Sequence, residues 1–213
     1  MPVIADQLLI VVLLINFMLL GSSRLRFAVR TVAVQGTVLG IVPALLHPIS
    51  PYLVLITICI VLVKGVVIPY LINNAITKTG IDREQDPFIG YLAILMIGAV
   101  TTAASFAFAG TLPLAPGHQE QLIVPASLAT LMTGFLILTS RKKAIYQVIG
   151  YLVLENGIFI FGMLLTEAMP FMVEAGVLLD LLVGIFVMGI VINHISREFC
   201  SLDTTRMRSL RED

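Results

Sequence analysis

Polar or Pro/Gly-rich seams cut this chain into seven apolar stretches, each long enough to cross a lipid bilayer. The stretches fall at 5–21, 27–47, 51–74, 87–110, 121–139, 144–166 and 170–194. In hydrocarbon the backbone must satisfy its own polar groups, so segments of this kind become helices. The predicted fold class is therefore all-α, a polytopic transmembrane bundle of about seven helices. Composition agrees: 58% of the 213 residues are hydrophobic and 12% charged, against roughly 45–50% and 25% in a soluble domain. Pro51, Pro87 and Pro170 each stand near a predicted helix start, where a missing N–H leaves no further donor unpaired. The first stretch has no basic region before it and is expected to be a retained span, not a cleaved signal.

Basic residues set the expected orientation. Arg24, Arg26 and Arg30 follow the first stretch, Lys78 and Arg83 the third, Arg141, Lys142 and Lys143 the fifth, and Arg197, Arg206, Arg208 and Arg211 form the tail. The breaks after the second, fourth and sixth stretches contain no Lys or Arg. The positive-inside rule then predicts an outside N-terminus and a cytoplasmic C-terminus. The alternation also requires an odd helix count. Ser23 and Arg24 align with Ser140 and Arg141 at an offset that also pairs Arg26 with Lys143 and Gly40 with Gly157, which raises a tandem three-helix repeat as a hypothesis. Gly98, Thr101, Thr102, Ser105 and Ala109 recur on one side of the fourth stretch, as expected of close helix packing.

Lys64, Glu155 and Asp180 are the charged side chains deep within predicted spans. Each opposes insertion by roughly 2.5–3.5 kcal/mol at a helix centre, so their presence needs a reason. Glu155 is the best-placed carboxylate, near the middle of the sixth stretch. Burial disfavours the ionised form of such a group, which suits it to reversible proton exchange. Asn156 and Tyr151 are candidates to share its proton or hold water. Asp180 is too short to reach the interface easily. Lys64 is expected either to neutralise a carboxylate, locking the third helix to the bundle, or to carry a proton itself. Gln35 reads as interhelical glue. The histidines His47, His118 and His194 are scattered, and Cys59 and Cys200 lie far apart, so no metal or cofactor site is expected. No phosphate loop or nucleophile motif is present. Lipid is the expected environment, and nucleic acid is not an expected partner.

Several segments together resemble component E of hydrogenase-4-type complexes. They are residues 150–157 (Gly-Tyr-Leu-Val-Leu-Glu-Asn-Gly), Asp180 with the run at 182–192, residues 63–69 (Val-Lys-Gly-Val-Val-Ile-Pro) and the tail at 201–204. The last three stretches also resemble the three-helix complex I subunit K and the C subunit of multisubunit sodium/proton antiporters. In subunit K a glutamate follows an Ile-Gly pair by two residues; here Leu152 holds that place and the carboxylate comes at Glu155. Three residues move the group about 4.5 Å along the axis but only about 60° around the helix. The resemblance divides the chain into helices one to four over 1–110, a three-helix unit over 111–198 and a tail over 199–213. It implies a non-catalytic subunit of a formate-hydrogenlyase-type, complex I-like assembly in a bacterial or archaeal cytoplasmic membrane. Its partners would be the hydrogenase-anchoring and antiporter-like subunits, with Glu155, Asp180 and Lys64 in a proton or ion relay. A self-contained secondary transporter and a purely structural scaffold are the competing readings.

Overall fold

The computed structural model describes residues 2–46, 51–79, 87–112 and 122–165. They are helical apart from short connections, with no strand among them. α1 spans Pro2–Gly21 and α2 Leu25–Leu46. The third pass is composite: α3 (Pro51–Leu62), a π-helical turn (Val63–Val67) and α4 (Ile68–Thr79). α5 covers Tyr91–Ala109, α6 Ile123–Ser140 and α7 Ala144–Leu165. Six segments among the described residues are long and apolar enough to cross a membrane. The helix expected over 170–194, with Asp180, lies outside the described residues, as do His47, His118, His194 and Cys200. So does the third member of the second half of the hypothetical repeat.

Two boundaries differ from expectation. Pro51 opens α3 as predicted, but α5 starts at Tyr91, four residues after Pro87, with Gly90 at its N-cap in extended conformation. The third pass runs on to Thr79, and Pro69 explains the turn within it. Proline brings no N–H, and its ring crowds the carbonyl four residues back, here that of Gly65. The chain relieves this by widening one turn: the Ile68 N–H bonds to the Val63 carbonyl, five residues back instead of four.

α1, α2, α7 and α6 form a four-helix core in that order around the bundle, with α5 against α1 and α6 and the composite pass against α2. α6 and α7 are the most closely apposed pair. Glycines make this approach possible: a Cβ on Gly134 would lie 2.6 Å from the Leu154 backbone nitrogen, and one on Gly157 2.7 Å from that of Leu131. On α5 the small-residue side is partly internal. Gly98 and Ser105 are buried, with Gly98 against Leu20 of α1, while Thr101, Thr102 and Ala109 are half-buried.

Apolar burial falls into two clusters at different levels of the bundle. One gathers Leu19, Leu20, Leu25, Val29, Ile94, Tyr146 and Ile149 near the basic loops. The other gathers Leu9, Val12, Leu39, Ile123, Ala126 and Ile160 toward the opposite end. Each core helix passes a polar residue at the seam between them: Asn16 on α1, Gln35 on α2, Thr130 and Thr133 on α6, Glu155 and Asn156 on α7, all buried.

The basic-loop end is tied by a buried arginine. Arg141 donates from Nη2 to the Leu20 carbonyl at 2.6 Å, satisfying one of the carbonyls that the end of α1 leaves unpaired. Its guanidinium lies 4.4 Å from the Tyr91 ring centroid and 5.0 Å from that of Tyr146. The Tyr146 hydroxyl donates to the Ser22 carbonyl at 2.9 Å, and the Phe88 N–H to the Ser140 carbonyl at 2.9 Å. At the other end the Asp6 carboxylate accepts the Leu122 N–H at 3.1 Å, supplying α6 with an N-terminal partner from another helix.

Candidate functional site

The seam between the two apolar clusters holds a charged pair. Lys64 enters from the π-turn, and its ammonium stands 2.6 Å from Glu155 Oε1 of α7. The side chains are 11% and 3% exposed, so bulk water does not screen them. α2 makes room for the lysine stem: a Cβ on Gly36 would come 3.0 Å from Lys64 Cβ and 3.2 Å from its Cδ. Gly65 faces Thr37 in the same way, 2.8 Å from a built Cβ to the threonine hydroxyl oxygen. The ammonium also donates to Asn156 Oδ1 at 3.0 Å and lies 5.6 Å from the Phe159 ring centroid. A carboxylate, an amide and an aromatic face thus surround it.

From Asn156 the bonding runs across the bundle. Asn156 Nδ2 donates to Gln35 Oε1 at 3.4 Å, Gln35 Nε2 to Asn16 Oδ1 at 2.8 Å, and Asn16 Nδ2 to Thr130 Oγ1 at 2.9 Å. Six residues from the third pass, α7, α2, α1 and α6 are therefore joined without interruption. The neighbouring Thr133 and Ser127 hydroxyls instead donate to carbonyls of their own helix, at 2.8 Å each. Glu155 Oε2 is buried and takes no hydrogen bond from any described residue.

The sequence-based candidates meet here, apart from Asp180 and Tyr151. Lys64 pairs with Glu155, one of the two carboxylates proposed for it. Asn156 binds the lysine and Gln35, and Gln35 links α2 to α1 and α7. Tyr151 lies one helical turn before Glu155, half-buried. Asp180 lies outside the described residues. Asn16 and Thr130 were missed. A signal for Asn16 exists, since it is an amide within the otherwise apolar run 8–20; Thr130 has none, being one of several hydroxyls on α6. Among the described residues no three His, Cys, Asp or Glu side chains gather as a metal site needs.

A buried, hydrogen-bonded charge pair has two chemical uses. It can fix helices against each other, because separating the partners strands a charge. It can also exchange protons, because a proton added to the carboxylate leaves a single positive charge whose partners are already in place. The π-turn under Lys64 is a feature often found where a helix bears function.

Comparison with known proteins gives a near-full-length relative. The chain is 30% identical over 203 residues to the uncharacterized protein Rv0085 of Mycobacterium tuberculosis, covering 93% of this chain and 92% of that protein. It is also 30% identical over 100 residues to hydrogenase-4 component E of Escherichia coli K12, and equally to that of Shigella flexneri. That match spans about half of each protein, 47% of this chain and 45% of the relative. No family model matches. No solved structure matches either.

Proposed function

The chain belongs to the same family as the mycobacterial protein Rv0085, and from that premise we propose that it is a non-catalytic membrane subunit of an energy-converting, hydrogenase-4-type complex. In this reading the Lys64–Glu155 pair is part of a proton or ion path between the hydrogenase module and antiporter-like subunits. The observation that carries it is the pair itself: two opposite charges, shielded from water, at the middle level of a membrane bundle. A charge at that depth is disfavoured unless it is tightly paired or moves. Glu155 Oε2, buried and unbonded among the described residues, is a place for the proton.

The partial match to component E supports membership of a hydrogenase membrane complex. Asp180 would continue the path, in a C-terminal unit over 111–198 resembling complex I subunit K. The α1–α2 connection with Arg24, the first turn of α2 with Arg26, and the loop from Arg141 to Lys143 meet at one end of the bundle, as the contacts of Arg141 and Tyr146 with Leu20 and Ser22 require. That end is assigned to the cytoplasm and the N-terminus to the outside.

Glu155→Gln keeps the shape and one acceptor but holds no exchangeable carboxyl proton. In the intact complex it is expected to leave hydrogenase turnover with a soluble electron acceptor near the wild-type rate while lowering coupled ion translocation at least tenfold. Unchanged translocation would defeat the proposal. The scaffold reading, favoured by the directness of the ion pair, expects instead that Glu155→Gln loses assembly and turnover together.

A further inference from the structure

Lys64 fixes the sense of every hydrogen bond in the chain that leads away from it. An ammonium carries three donors and no acceptor, so Asn156 must turn its carbonyl oxygen toward Lys64, at 3.0 Å. That leaves the Asn156 NH₂ for Gln35, which must present Oε1. Gln35 then has only its NH₂ for Asn16 Oδ1, and Asn16 has only its own for Thr130 Oγ1. Turning Asn156 or Gln35 around would set donor against donor on one side and acceptor against acceptor on the other, and turning Asn16 would set its NH₂ against that of Gln35. Nor can protons run along this chain, since each carboxamide would first have to rearrange to an imidic acid. It transmits orientation and not charge.

We propose that Asn156, Gln35 and Asn16, anchored on Thr130, are positioning residues that hold a second acceptor against the Lys64 ammonium, keeping it in place when Glu155 takes up a proton. This rests on reading the pair as part of a proton path. While Glu155 is ionised, its Oε1 at 2.6 Å is the stronger partner. When a proton adds to the carboxylate, the negative charge disappears and the Asn156 oxygen becomes the leading acceptor. Lys64 then redistributes its N–H bonds between two groups already within reach. An unanchored Asn156 could turn away, and the ammonium would be left with only the weaker acceptor of the neutral Glu155 carboxyl at the moment it most needs a second one.

The reading is testable on the full-length chain in native membranes by infrared difference spectroscopy, with the Glu155 carboxyl band assigned by its loss in Glu155→Gln. At the pH where wild-type Glu155 is half protonated, Gln35→Leu is expected to lower the ratio of protonated to ionised Glu155 about tenfold. That is the effect of weakening a charge-assisted hydrogen bond on which the ammonium leans more heavily once Glu155 is neutral than while it is ionised. Thr130→Val preserves shape but removes the terminal anchor, and should shift the ratio the same way by a smaller factor; Thr130→Ser should restore it. Wild-type ratios in both Gln35→Leu and Thr130→Val overturn the proposal. If Gln35→Leu fails to accumulate, the Thr130 pair alone decides. Failure of the proton-path reading looks different: Glu155→Gln would translocate ions normally while Gln35→Leu still lowered the ratio.

Discussion

Replacing Lys64 by Met removes the ammonium while keeping a long, flexible, apolar side chain in its slot beside Gly36. At 2.6 Å and an effective dielectric constant of about 20, the attraction to Glu155 is about 6 kcal/mol before desolvation. Desolvation of the two ions offsets most of this, so the pair as a whole contributes little beyond an apolar pair of the same size. Removing one partner is another matter, because the remaining group stays buried; such changes cost about 3–5 kcal/mol. Lys64→Met and Glu155→Met, if independent, would together destabilise the bundle by about 7 kcal/mol, taking the lower part of that range for each. The double variant strands no charge and leaves only the Asn156 carbonyl short of a donor, a loss of about 1–2 kcal/mol. The expected coupling is thus about 5 kcal/mol, measured as reversible unfolding of the four proteins of the cycle in bicelles. A cycle that closes to within about 0.5 kcal/mol would mean that the two side chains do not interact energetically, and the site as described would be wrong.

Gly157→Ala places a methyl group 2.7 Å from the Leu131 backbone nitrogen, which cannot yield as a side-chain tip would; it should cost about 1–3 kcal/mol in the same unfolding assay. Gly90→Ala meets no atom within 4 Å beyond its chain neighbours and should cost only about 0.5–1 kcal/mol, the loss of glycine at the α5 N-cap. Arg141→Met loses the bond to the Leu20 carbonyl and the contacts with Tyr91 and Tyr146, and should destabilise by about 2–4 kcal/mol, read as a lower temperature of aggregation in detergent. Arg141→Lys should recover only part of it, because a point charge cannot hydrogen-bond forward and stack sideways at once; full recovery would refute that account.

Hydropathy alone located the described spans, since a bilayer-crossing helix is specified by length and apolarity and by little else. Their ends were less legible. The start of α5 at Tyr91 depends on Phe88 bonding to the Ser140 carbonyl, a contact between segments far apart in sequence. The π-turn has its cause in Pro69, but a proline inside a hydrophobic run can also simply kink a helix, so the turn was not read from the sequence. Lys64 and Glu155 stood out because charge is costly in hydrocarbon; that they choose each other is decided by the packing of α7 beside α2. Asn16 was hidden because one amide among leucines looks like tolerated polarity until its neighbours are known. Arg141 read as an ordinary loop cation, and only the fold reveals that it is buried between two tyrosines.

The polar seam also acts as a vernier for the bundle. Sliding one core helix by a single turn, about 5.4 Å, would carry its amide or carboxylate into one of the flanking apolar clusters. Several hydrogen-bonding groups would then face hydrocarbon at several kcal/mol apiece. Leucine, valine and isoleucine on either side can be exchanged with little effect on alignment, because dispersion contacts are nearly the same in every register. The few polar residues between them give the helices a common zero, much as a lone asparagine fixes the alignment of a coiled coil.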